Sequence, residues 1–419
     1  MRMNKRAISW VAVLTTLCLA ATATAQENRY STLHVGLFPP LSSNGRAASL
    51  YTNGISINLL AGVSANERYL SINGIAGIVF GNGAAVQVSG LYNHIQRDIT
   101  GVAIGGIVNY IGGRANGLQI GGLLNITSAV KGMQIGGILN IADNVRGVQI
   151  GGILNMADNV AGVQIGGITN MADNTRGVQI GGFWNSADNF TGLQIAGLWN
   201  STDNFTGLQI AGLWNATDNV RGAQISPILN KADRVKGLQL SLINIAEHND
   251  YPVGLLNFIE DGEMSIALFY DDLCNIGIDF RSGGRVLYGI VGLSYDLGRI
   301  NTEHPEYFSI TAGIGAHANL LRWLRLDNEL IVSTHTLAGD ISRHTPVYNS
   351  FAYRLLLAAK PIHWLEVFAG PTVRYAHFHK VTGNLIAPSR IRYDIQTGET
   401  NIKTWPVLIG CTAGIRFVF

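Results

Sequence analysis

The residues of this chain best placed to do chemistry fall into two sets, one periodic and one alternating. Trp184, Trp199 and Trp214 recur fifteen residues apart, as do Asp143, Asp158, Asp173, Asp188, Asp203, Asp218 and Asp233. Stacked at a strand spacing of about 5 Å, the three indoles would form an outward aromatic strip suited to the sugar rings of a surface glycan. The aspartates would form a column of like charges, tolerable only with a cation or basic neighbours beside it. Arg146, Arg176, Arg221, Lys131 and Lys236 are near in sequence, so compensation by them is favoured over calcium, for which the paired Gly-Asp spacing is missing. The second set is Arg325, Asp327, Glu329, Arg354, Glu366, Arg374 and Arg416. Gathered inside a closed barrel, such charges must pair with one another to be tolerated. His377 and His379 share a strand face and His363 lies near Glu366, but without Cys or a third spaced ligand the pattern defines no metal site. No Ser/His/Asp signature, phosphate loop or dinucleotide fingerprint is present, so the sequence implies no catalytic residue, no cofactor and no enzyme.

The element that positions the first set is an internal repeat. GVQIGGILNMADNVA (147–161), GVQIGGITNMADNTR (162–176) and GLQIAGLWNSTDNFT (192–206) are its cleanest copies. The opening Gly falls at 117, 132, 147, 162, 177, 192, 207, 222 and 237, with looser copies reaching back to Gly54. A strict period means that every copy occupies the same environment, as in stacked or sheet-building folds, and places function on a surface or lumen rather than in a single cleft.

Composition narrows the class. The chain has 51 Gly, 47% hydrophobic and only 13% charged residues, yet after Ala25 its apolar runs are repeatedly broken by Gly, Asn, Gln or charge. A helical span needs about 20 apolar residues in a row, so the pattern favours exported β structure. Arg2, Lys5 and Arg6, the apolar Ala7 to Ala21 and the small Ala23-Thr24-Ala25 read as a signal peptide over residues 1–25. Cys274 and Cys411 are the cysteines of the mature chain, enough for one disulfide but not for a disulfide scaffold. A net charge of +2 without a basic patch argues against a nucleic-acid partner.

The second set sits on longer strands. From about residue 263 apolar and polar residues alternate, as in Leu324, Leu326, Leu330 and Val332 against Arg325, Asp327 and Glu329, or Val407, Ile409, Cys411, Ala413, Ile415, Phe417 and Phe419 against Thr412 and Arg416. Repeated period-2 alternation over about 10 residues marks strands with lipid on one face and a polar interior on the other. The strand ending at Phe419 resembles the terminal strands of Gram-negative outer-membrane β-barrel proteins. About eight strands are expected between 263 and 419, enough for a barrel filled by its own side chains. The repeats, as in GLQLSLINIA (237–246), resemble bacterial surface-repeat proteins with tandem GLQIGLVN-type units, in which the array leads into a C-terminal β-rich segment. Most copies here carry one extra residue, the Gly-Gly or Ala-Gly pair. That resemblance implies location at the bacterial cell surface and supplies no reaction.

Two architectures fit the repeat. In a parallel β-solenoid, the one favoured here, corners fall at Gly147, Gly151-Gly152 and Asp158-Asn159. Val145, Val148, Ile150, Ile153, Asn155 and Ala157 then point inward, with Arg146, Gln149, Leu154 and Met156 outside, and the asparagines from Asn125 to Asn230 form an internal amide ladder. In the alternative each repeat is one antiparallel strand that enlarges the downstream barrel into a channel. The sequence thus predicts an all-β chain: signal peptide 1–25, lead-in 26–53, repeat region 54–259 and an outer-membrane-type barrel at 260–419. It predicts a non-enzymatic structural or adhesive outer-membrane protein, its partners outer-membrane lipid and a surface glycan or a ligand on a host or neighbouring cell.

Overall fold

The structure, a computed structural model, describes residues 29–271, 275–296, 307–337, 348–378 and 407–419. The signal-peptide segment 1–25, Cys274 and His379 lie outside the described residues. The chain divides into two compact units, 1–142 and 143–419.

The first unit is a β-solenoid. Arg29–Phe38 pairs in parallel with Tyr51–Asn58, which pairs in parallel with Asn66–Asn73 and so on through Val86–Ser89 and Ile99–Gly105. A second series, Ala61–Ser64, Ala76–Val79 and Tyr92–Ile95, runs alongside in the same manner. Each coil contributes two short strands that pair with their equivalents one coil on, which hairpin strands cannot do. The series merge in Val108–Gly121, which pairs with Leu124–Gly136 at Asn109↔Asn125 and Gly117↔Gly132. A 3-10 turn, Gly45–Leu50, precedes the second strand, and its Ala48 is buried.

The second unit holds further coils and then a barrel. Each coil is one long bent strand, Leu154–Gly166, Thr169–Gly181, Trp184–Ala196, Trp199–Ala211 and Trp214–Ile225, paired in parallel with the next at one repeat's offset, as in Asn155↔Asn170 and Gln164↔Gln179. Asp158 and Asp173 drop out of the pairing and mark the bend. Two glycines per coil hold the stack together. Gly177 has φ +140°, and a Cβ there would stand 2.0 Å from the carbonyl oxygen of Gly162, while a Cβ on Gly167 would stand 2.0 Å from that of Gly152. The preceding position is looser, since Ala196 and Ala211 occupy it natively. Copies up to 181–182 accordingly carry Gly-Gly and those at 196–197 and 211–212 carry Ala-Gly.

The inward face differs from the expectation. Asn155, Ala157 and Val145 are buried as expected, but Gln149 is buried too, while Val148 and Ile150 are half-buried and Ile153 is exposed. The strand runs through Gly147 without changing face, so Val145, Gln149 and Gly151 share a side. Burying Gln149 costs little because it is matched by its own copies, as the next section shows.

The barrel closes on eight antiparallel strands, Glu263–Asp271, Asn275–Gly283, Leu287–Asp296, Tyr307–Leu321, Leu324–Leu337, Tyr348–Ile362, Leu365–Phe378 and Val407–Val418, with Ser265↔Val418 joining first to last. No repeat strand enters this circuit. The repeats pair in parallel with one another, which corrects the reading in which they widen the barrel.

Candidate functional site

Inside the barrel, period-2 alternation sends a polar side chain inward at every second residue, and the closed wall removes it from water. Arg325, Asp327, Glu329, Arg354, Glu366, Arg374 and Arg416 are all buried there, and the structure adds Asp271, Asp279 and Arg281. Among the described barrel residues this gives five buried arginines and five buried carboxylates. Arg281 Nε stands 2.8 Å from Glu329 Oε1, and Arg354 Nη1 3.1 Å from Asp279 Oδ2. Arg416 Nη1 bridges Asp327 at 2.8 Å and Glu366 at 3.0 Å, and Arg325 reaches Glu366 at 2.7 Å and Glu263 at 2.7 Å. Arg374 lies 3.4 Å from Asp271, whose other oxygen accepts from the Thr412 hydroxyl at 2.6 Å. Tyr288 donates to Glu329 at 3.0 Å. Phe269 and Phe368 fill the space between, with the Arg354 guanidinium 4.7 Å from the Phe269 ring and that of Arg416 5.0 Å from Phe368. The arrangement balances charge inside the wall. The three residues the sequence reading missed lie on strands with short apolar runs, where Ile276, Ile278 and Phe280 alternating with Asp279 and Arg281 was the available signal.

In the solenoid the interior is polar in a different way. Asn155 Nδ2 donates to Asn170 Oδ1 at 2.8 Å and to the Ile165 carbonyl at 2.8 Å, and the pattern repeats at Asn170, Asn185, Asn200 and Asn215. Gln164 Nε2 donates to Gln149 Oε1 at 2.8 Å, and Gln179, Gln194, Gln209 and Gln224 follow. The two ladders run in opposite senses, the asparagines donating toward the C-terminus and the glutamines toward the N-terminus. Phe190 and Phe205 stack between them at 5.5 Å. A third ladder, Asn159 to Asn144 and Asn174 to Asn159, lies exposed at the charged edge, lining a groove of about 390 Å³ with Arg146 and Arg176.

The structure brings Trp184, Trp199 and Trp214 together as a column on the outside, with ring centroids 6.0 and 5.2 Å apart. They stack on one another, so both faces of Trp199 are taken. The aspartates line the charged edge; burial first, then Asp158, raises Asp143, and burial first, then Asp203 and Asp233, raises Asp218 against a smaller pull from Lys231. His363 lies exposed in the turn before Leu365–Phe378, and no cluster of three or more His, Cys, Asp or Glu that could hold a metal occurs among the described residues.

The first unit holds one constellation the sequence reading did not anticipate. Ser56 Oγ is within 2.8 Å of both Glu67 oxygens and 3.4 Å from His34 Nδ1, and Asn53 donates to Glu67 at 3.0 Å. Burial raises Glu67 against those hydrogen bonds and lowers His34. Ser56, His34 and Glu67 are 0%, 1% and 5% exposed, so the trio packs inside the first coils.

No protein-family profile and no curated protein matches the chain. Among solved structures it is similar to the crystal structure of Ail, the attachment invasion locus protein of Yersinia pestis, at 12% identity over 38% of this chain and 99% of that chain, with a TM-score of 0.19.

Proposed function

We propose that this is a non-enzymatic outer-membrane protein whose barrel is a closed anchor and whose solenoid is a rigid structural scaffold. The observation that carries the reading is the inversion of the barrel: side chains such as Ile310, Leu330, Ile409 and Val367 are exposed outside, while ten charged groups are buried inside. Such a wall suits lipid, and a lumen filled with paired charge suits no solute. Export by the signal peptide and the likeness of the repeats to GLQIGLVN-type units belong to the same proposal. An adhesive role for the Trp column is the weaker version, because the ring faces a sugar would need are occupied by neighbouring indoles. The test is purification from envelope fractions with heat-modifiable gel migration, followed by planar-bilayer recording. Heat-modifiable protein without conductance steps is expected; steady single-channel steps would replace the anchor by a pore, and a protein soluble without detergent would end the membrane reading.

A further inference from the structure

Charge in the coils from Gly147 to Thr217 is segregated by edge, with Lys231, exposed near Ile228, the exception one coil further on. Between Gly147 and Thr217 the charged residues are Asp158, Asp173, Arg176, Asp188 and Asp203, all at or beside the bend. The opposite edge, where each coil turns back, carries a column running through Ile153, Ile168, Phe183, Leu198, Leu213 and Ile228, tied from coil to coil by backbone bonds such as Phe183 N–H to the Ile168 carbonyl at 2.9 Å. Ile168, Phe183 and Ile228 are 42%, 52% and 46% exposed, and the Trp column flanks them. A contiguous apolar ridge rimmed by polar residues marks an interaction surface.

What the ridge meets is indicated by where it ends. Leu255 continues the same corner, bonded to Leu242 at 3.1 Å, and it lies against the outer wall of the barrel: a Cβ on Gly289 would be 2.3 Å from the Leu255 carbonyl oxygen and 2.2 Å from that of Gly254. Beside it Pro252 and Val253 share a cleft of about 230 Å³ with Ile314, Leu330 and Tyr353 of that wall. The charged edge instead reaches the barrel rim, where Asp261 pairs with Arg285 of the turn 284–286 at 3.2 Å. Trp323 and Trp364 stand exposed in the other turns of that rim, 322–323 and 363–364, the position of an interfacial aromatic belt.

We propose that the apolar edge of these coils beds in the lipid interface around the barrel, so that the solenoid lies along a leaflet with its Asp and Asn edge in water. The inference rests on the membrane reading above. The turns on the solenoid's side of the barrel, 284–286, 322–323 and 363–364, have two or three residues, whereas Asp296 and Tyr307, Leu337 and Tyr348, and Phe378 and Val407, strand ends on the other side, are separated by ten or more residues of sequence. Short turns face the periplasm in bacterial barrels, so the leaflet is the inner one of the outer membrane. Trp184, Trp199 and Trp214 then take the depth at which an amphipathic indole is most stable.

The test uses the full chain, with Cys18, Cys274 and Cys411 replaced by serine, in phosphatidylethanolamine and phosphatidylglycerol vesicles. An environment-sensitive dye is placed in turn at Ile168→Cys, Asp173→Cys and Ile310→Cys, with gel heat-modifiability confirming that each variant folds. Loss of most fluorescence at Ile168→Cys to a headgroup-region spin-labelled lipid, with shielding from iodide, is expected, and the reverse at Asp173→Cys. Iodide quenching at Ile168→Cys as deep as at Asp173→Cys overturns the inference. So does shielding from iodide and lipid alike, which would mean that a second copy of the chain covers the edge. The barrel-wall probe at Ile310→Cys separates the two levels: if a deep-chain spin label fails to quench it, the membrane reading itself falls; if it is quenched and Ile168→Cys is not, only the lipid-bedded edge falls.

Discussion

The two interiors of this protein solve one problem by opposite means. Both bury many polar side chains, but the coils of the second unit bury neutral amides in identical rows, whereas the barrel buries ions each of which meets different partners. The difference follows from symmetry. In a parallel stack each residue meets its own copy, and like charges in a row repel, so the side chain must both donate and accept; Asn and Gln do, and Asp and Arg do not. Antiparallel strands of unlike sequence let each charge meet its opposite, which is how Glu329 comes to lie among Arg281, Arg354 and Arg416. Where the solenoid does stack carboxylates, it leaves them at an exposed edge.

The comparison breaks first at the ions. Glu329→Gln keeps the shape but removes one counter-charge shared by Arg281, Arg354 and Arg416 and leaves the buried set with one positive charge in excess, and should cost about 3 to 5 kcal/mol in urea unfolding of the detergent-folded protein. A loss under about 1 kcal/mol would mean that the network is wet rather than desolvated. Next comes the backbone of the stack. Gly177→Ala adds a Cβ at positive φ against a carbonyl and should cost about 2 to 4 kcal/mol, while Gly181→Ala, where Ala196 stands natively one coil on and the Cβ would meet the Trp184 carbonyl at 2.6 Å, should cost less, about 1 kcal/mol. Equal effects at the two sites would remove the claim that the positive-φ glycine is obligatory whereas the first residue of the Gly-Gly pair is not.

A single amide should matter less than a single charge. Asn185→Ala removes the acceptor of one Nδ2 proton of Asn170 and the donor to the Oδ1 of Asn200 and should lower solenoid stability by about 1 to 3 kcal/mol, read by far-UV circular dichroism during denaturant titration. Smallest is the effect of the exposed column. Because Asp143 and Asp218 are raised, the folded state binds more protons than the unfolded chain as pH climbs from about 4, so stability should fall with rising pH through that window. Asp218→Asn should flatten the slope; a slope unchanged, or of opposite sign, would show that neighbouring cations outweigh the stacking.

How far each region was legible depended on the same contrast. Strand periods, the glycine step and the asparagine ladder follow from the repeat, and the barrel strands follow from alternation. Gln149 was placed on the wrong face because nothing local distinguishes a corner at Gly147 from a strand that passes through it. Asp279 and Arg281 lie on a strand legible from its alternation and differ from the expected lumen charges only in which partners they meet, and Asp271 falls at the very end of its strand, where the alternation stops. The Ser56, His34 and Glu67 contact joins residues with no common spacing, so no pattern announces it.

The sequence alone determined that the chain is β structure built from identical units and ending in alternating strands, because period and alternation are local properties that every residue carries. Only the tertiary structure decided that the repeats run parallel, that eight strands close without them, and which charge meets which. Those outcomes depend on contacts between residues far apart in the chain, and on a balance of five positive and five negative buried groups that exists only once the wall is closed.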